Sequence, residues 1–96
     1  MNPVGDSFLS RKEKLLSRLY KLPPPKDFRW SEFVTLMRAA GFKEHCEGGS
    51  HFIFEHVEMR LRFSMSKTHP SGVLKRYQIE NAKEALEKIH IETKGL

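Results

Sequence analysis

Met59-Arg60-Leu61-Arg62-Phe63-Ser64-Met65-Ser66 alternates without a break: Met59, Leu61, Phe63 and Met65 are apolar, and Arg60, Arg62, Ser64 and Ser66 are polar. Successive side chains of an extended chain point to opposite faces, so this stretch predicts a half-buried antiparallel strand with a basic outer face. His51-Phe52-Ile53-Phe54-Glu55 predicts a second strand, with Phe52 and Phe54 inward and His51 and Glu55 outward. Phe42 to Glu47 makes a weaker third. The Gly48-Gly49-Ser50 loop selects the register. A two-residue turn pairs Glu47 with Ser50 and sets Phe42 on the face opposite Phe52. A three-residue loop pairs Glu47 with His51 and gathers Phe42, Cys46, Phe52 and Phe54 on the buried face, turning Glu44 the same way. The second register is consistent, and it leaves His51 outside, beside Glu47.

On either side of this block the period is helical. Ser10-Arg11-Lys12-Glu13 has the spacing of a capping box, and Leu15, Leu16, Leu19 and Leu22 follow it, so a short helix is predicted around 10–21. Pro23-Pro24-Pro25 ends that helix, because proline lacks the amide hydrogen and drives its predecessor out of helical geometry. The three prolines read as a stiff linker. Ser31 is placed to cap a second helix over about 31–40, in which Phe33, Val34, Leu36, Met37 and Ala40 form an apolar stripe. Gly41 stands where a left-handed C-cap residue is wanted. Lys67 to Gly72 reads as a loop, and the helical period returns from about Leu74 to Ile89 through Ile79, Ala82 and Leu86.

The element order is therefore helix, helix, strand, strand, strand, helix. It predicts an α+β fold: a three-stranded antiparallel sheet with helices packed on one face, plus an N-terminal helical extension. Residues 1–25 are expected to form that extension and its proline linker, and residues 26–96 the domain proper. The arrangement resembles the architecture of double-stranded-RNA-binding domains and leaves the second face of the sheet open to a partner.

Composition narrows the function classes. The chain has 96 residues, 39% hydrophobic and 30% charged, which suits one small globular domain and excludes a disordered chain or a repeat array. No apolar run approaches the ~20 residues of a membrane span, and Met1 to Tyr20 hold no signal-peptide core, so a cytoplasmic protein with no membrane partner is expected. The single cysteine, Cys46, has no internal disulfide partner. Net charge is +5, and residues 59–77 carry five basic and no acidic side chains. A stretch of that kind suits a polyanion, since neutralising phosphates releases condensed counterions.

Five histidines raise the question of metal, but His51 and His56 lie an odd number of residues apart on one strand and so face opposite ways. The Cys and His spacing is not that of a zinc site, and neither a metal nor a cofactor is expected. Cys46, predicted inward, is read as inert packing. His51 is the residue singled out. It follows Gly48-Gly49-Ser50, where missing side chains admit a bulky backbone, and it shares its predicted face with Arg60 and Arg62. Glu47 across the hairpin is placed to orient its ring.

The ordered set Phe28-Arg29-Trp30-Ser31-Glu32-Phe33-Val34, Ala40-Gly41-Phe42, Gly48-Gly49-Ser50-His51-Phe52-Ile53-Phe54, Thr68-His69-Pro70 and Leu74-Lys75-Arg76-Tyr77-Gln78-Ile79 resembles the HicA toxin family of bacterial HicA–HicB toxin–antitoxin pairs. The resemblance covers roughly residues 26–91. It implies a double-stranded-RNA-binding-domain-like fold, metal-independent endoribonuclease cleavage of mRNA, and inhibition by a cognate HicB-type antitoxin. By motif the family's catalytic histidine falls on His51. Many members of the family are shorter and begin near the helix at Ser31, so residues 1–25 lie outside the likeness.

The chemistry so implied is attack of a ribose 2′-hydroxyl on the adjacent phosphate, with one group to take the proton and another to protonate the leaving oxygen. Imidazole, with an ordinary pKa of ~6.5, serves either role. Ser50, Arg60, Arg62, Lys67, His69, Lys75 and Arg76 are the RNA-binding candidates, and His69 is the candidate for the second proton transfer. Two other classes fit the same residues: a non-catalytic RNA- or DNA-binding module, and an adaptor acting through the prolines and first helix. Deleting residues 1–25 is expected to spare a nuclease and to disable an adaptor.

Overall fold

The computed structural model describes residues 10–94, with side chains through Ile89. Its elements are α1 (Arg11–Leu19), α2 (Trp30–Ala39), β1 (Lys43–Gly48), β2 (His51–His56), β3 (Leu61–Ser66) and α3 (Arg76–Lys94). The strands form one antiparallel sheet, as expected, and its order is β1-β2-β3. Among the described residues no helix is long and apolar enough to cross a membrane.

The capping box forms as predicted: the Glu13 amide donates to Ser10 Oγ at 3.1 Å and the Ser10 amide to Glu13 Oε1 at 2.9 Å. Helix α1 then buries Leu15 and Leu19 in the same core as Phe33, Leu36 and Ile79. Arg18 locks it to the segment beyond the prolines, donating to Glu32 Oε2 at 2.7 Å and Asp27 Oδ1 at 3.4 Å, with its guanidinium over the Phe28 ring. Tyr20 Oη donates to Glu87 Oε2 at 3.0 Å, fastening the end of α1 to α3. Residues 1–9 of the expected extension lie outside the described residues. The remainder is built into the core, so removing residues 1–25 would strip out two buried leucines rather than leave the domain untouched.

The cap of helix α2 lies two residues before the predicted one. Arg29 is its N-cap, and the Arg29 amide is held by Glu32 Oε1 at 3.0 Å, while Ser31 lies exposed within the first turn. The correction has a tertiary cause. Backbone bonds from Trp30 to Gly72 and from Leu74 to Phe28, each 2.8 Å, pin residues 28–30 against 72–74 and fix where the helix begins. Leu74 is for the same reason extended and buried, not helical. At its far end α2 closes with Gly41 at φ +102°, the Gly41 amide on Arg38 O and the Phe42 amide on Met37 O. That pair of hydrogen bonds is a Schellman cap, and buried Phe42 and Met37 supply its apolar contact. His56 is buried under Gly41 with its ring edge-on to Phe42.

The strand registers follow the three-residue-loop reading through most of the hairpin. Lys43 faces Glu55, Glu44 faces Phe54, His45 faces Ile53 and Cys46 faces Phe52. The pairing then shifts: Gly48, not Glu47, stands opposite His51, and Glu47 forms a bulge. Phe42, Phe52 and Phe54 share the core face with Phe63 and Met65. Cys46 faces the same way yet is exposed, correcting its expected burial, because it lies on the edge strand at the hairpin end. The inward-turned Glu44 is neutralised by the Arg38 guanidinium of α2, whose hydrogen bond holds that carboxyl below its ordinary pKa. Met59 and Arg60 belong to the β2–β3 turn and not to β3, with Arg60 at φ +56°.

Candidate functional site

The ladder decides what surrounds His51. The Lys67 amide donates to Ser50 O at 2.8 Å, which sets the alternation between bonded and non-bonded pairs along β2 and β3. His51 and Ser66 fall in a non-hydrogen-bonded pair, the type that brings side chains closest. His51 Nδ1 accordingly meets Ser66 Oγ at 3.3 Å. The same alternation turns the Ser66 carbonyl away from β2, and Gln78 Nε2 of α3 donates to it at 2.8 Å. Gln78 is buried, and its Oε1 accepts from the Lys75 amide at 2.9 Å. One hydrogen-bonded chain thus runs from the exposed imidazole through Ser66 to the start of α3.

This arrangement sorts the expected site residues into two groups. Ser50, half-buried, and exposed Lys67 are tied together beside His51. His69 lies exposed in the loop that leaves Lys67, and Lys75 and Arg76 are exposed at the start of α3, which Gln78 holds against Ser66. The two arginines are placed elsewhere. Arg62 shares the open face with His51 but pairs with Glu55, four residues along β3 from Ser66 and so ~13 Å away. Arg60 sits further on, in the turn, outside the strand whose outer face it was expected to share with His51. A strand's face is legible from its period, whereas position along it depends on register with a neighbour. Glu47 is displaced by the bulge, and Ser66 contacts the ring in its stead.

Gly48 and Gly49 have φ of +132° and +56°, and a Cβ on either would meet open space. The turn's own backbone therefore requires glycine at this position, whatever lies against it. The open face also carries Lys43 and His45 of β1, since these pair with Glu55 and Ile53 of β2. Among the described residues no group of three or more His, Cys, Asp and Glu side chains is placed to hold a metal ion.

No family model, curated protein or solved structure matches this chain. The site therefore rests on its own geometry. Ser66 and Gln78 were missed by sequence reasoning as site residues. Ser66 was already placed on the outer face by the alternation, and a second hairpin register, from β2 to β3, would have set it opposite His51.

Proposed function

We propose that this protein is a metal-independent endoribonuclease of the HicA toxin type, acting on mRNA and restrained by a HicB-type antitoxin protein. The observation that carries the reading is His51: an exposed imidazole on the open face, hydrogen-bonded through Nδ1 to Ser66, at the end of the sheet that also carries Lys67 and the start of α3. With Nδ1 engaged, Nε2 is the nitrogen left to exchange a proton with a substrate.

The reaction proceeds by attack of the 2′-oxygen on the adjacent phosphorus. The P–O5′ bond breaks, leaving a 2′,3′-cyclic phosphate and a 5′-hydroxyl. One side chain removes the 2′-hydroxyl proton and another delivers a proton to O5′. His51 performs one of these transfers. Lys67, with Lys75 and Arg76 at the helix start, holds the phosphates and offsets the charge that builds on them. Arg62 and Arg60, at the other end of β3, touch RNA flanking the cleaved bond. The α-β-β-β-α order from α2 onward, with helices on one face, supports a double-stranded-RNA-binding-domain-like fold.

The test uses the full chain, a long RNA and EDTA, comparing the protein with His51→Ala. Cleavage that survives chelation and is lost in His51→Ala supports the nuclease, with an expected fall of ~10²–10⁴-fold. RNA bound but left intact by both proteins supports a non-catalytic binding module in its place.

A further inference from the structure

We infer that His45 is the second catalytic imidazole, the partner of His51 in cleaving RNA; the inference rests on the ribonuclease reading above. Residues 45 and 51 sit on different strands, and only the hairpin register brings them together. His45 pairs with Ile53 on β2, and His51 lies two residues from Ile53 on the same face. Such diagonal neighbours stand ~7–8 Å apart. The bulge that displaces Glu47 begins only after Cys46, so His45 keeps its regular place in the ladder.

Both imidazoles are exposed, and the His45 side chain makes no hydrogen bond, ion pair or ring contact with the described residues. That backbone spacing leaves room for a phosphodiester between the two side chains, each ring giving its oxygens one charge-assisted hydrogen bond of ~2.7–2.9 Å. Two groups on opposite sides of one phosphate are what the reaction needs. One imidazole takes the 2′-hydroxyl proton as the 2′-O–P bond forms. The other gives its proton to O5′ as the P–O5′ bond breaks. The charges cancel, and a proton exchange with water resets the pair. His69, the earlier candidate, is in a loop with no contact that sets it toward the imidazole of His51. The other charged groups on this face are Lys43, Glu55 and Arg62, with Glu47 in the bulge and Lys67 at the strand end.

The deciding experiment measures kcat/KM for a short RNA across pH for the full chain, His45→Gln and His51→Ala. The protein should give a bell-shaped profile, and His45→Gln should lose one limb and ~10²-fold or more in rate with its melting temperature unchanged. A second substrate carries sulfur in place of the leaving O5′, a leaving group that needs no acid. One of the two variants, and not both, should recover on it. A His45→Gln profile with both limbs intact and a rate within about twofold of the parent overturns this inference alone. Failure of both variants to recover on the sulfur substrate overturns it too. An inactive parent protein overturns the ribonuclease reading beneath it as well.

Discussion

Replacing Leu19 by alanine tests whether α1 is a true part of the fold. The side chain has no exposed surface, and Leu15, one turn earlier, retains 2%. Truncating an enclosed leucine removes its transfer free energy and leaves a cavity, together about 2–5 kcal/mol. A chain of this length has a total stability of roughly 5–14 kcal/mol, so the loss is a large fraction of the whole. At 4–8 °C per kcal/mol, a loss of ~3 kcal/mol lowers the midpoint by roughly 12–24 °C. Urea unfolding followed by circular dichroism measures it, with the slope against denaturant expected to stay constant. Leu22, 79% exposed just past the helix, is the control, and Leu22→Ala should stay within about 0.5 kcal/mol of the parent. If Leu19→Ala costs less than about 1 kcal/mol, α1 is peripheral and the packing argument fails.

Three further outcomes follow from the same geometry. Gly41→Ala should destabilise by at least ~1–3 kcal/mol, since its backbone is left-handed and the new Cβ would lie 2.5 Å from His56 Nε2; an unchanged melting temperature refutes the Schellman cap. Lys67→Ala should weaken RNA binding and flatten its logarithmic salt dependence by ~0.7, the change for one lost single-strand phosphate contact, whereas Arg60→Ala leaves binding of an RNA spanning only the His51 end unchanged. Tyr20, its phenol partly desolvated and bonded to Glu87, is pushed up from 10.0 to about 12. Because the folded value exceeds the unfolded one, this docking stabilises the fold below pH 10.0 and is lost as pH climbs through about 12. With Tyr77→Phe leaving one tyrosine, ultraviolet titration should show ionisation near 12; a midpoint near 10 means the α1–α3 fastening is absent.

Much of the fold was legible because its signals are local. The capping box needs four residues, the Schellman glycine needs one, and the alternation of β3 needs only its own side chains. Each was read from spacing, as was the face on which His51 stands, with only Met59 and Arg60 passing from the strand to the turn. What went astray depended on distant partners. Ser31 lost the cap to Arg29 because residues 72–74 pin the chain there, and Leu74 was drawn out of the helix by the same bridge. Across the prolines, Arg18 reaches to Asp27 and Glu32, partners that spacing along the chain does not announce.

The candidate site divides in the same way. The sequence by itself determined that one face of the sheet would be polar and would carry His51, because side-chain direction along a strand alternates with period two. It also determined that residues 59–77 would be basic without an acid among them. Tertiary structure decided what stands around the imidazole: Ser66 in contact with the ring where Glu47 was expected, Lys67 at the neighbouring strand end, and His45 diagonally across the hairpin. Neighbours across strands are set by register, and here a bulge of one residue and a tight β2–β3 turn set it. Neither leaves a mark in the alternation that forms the strands.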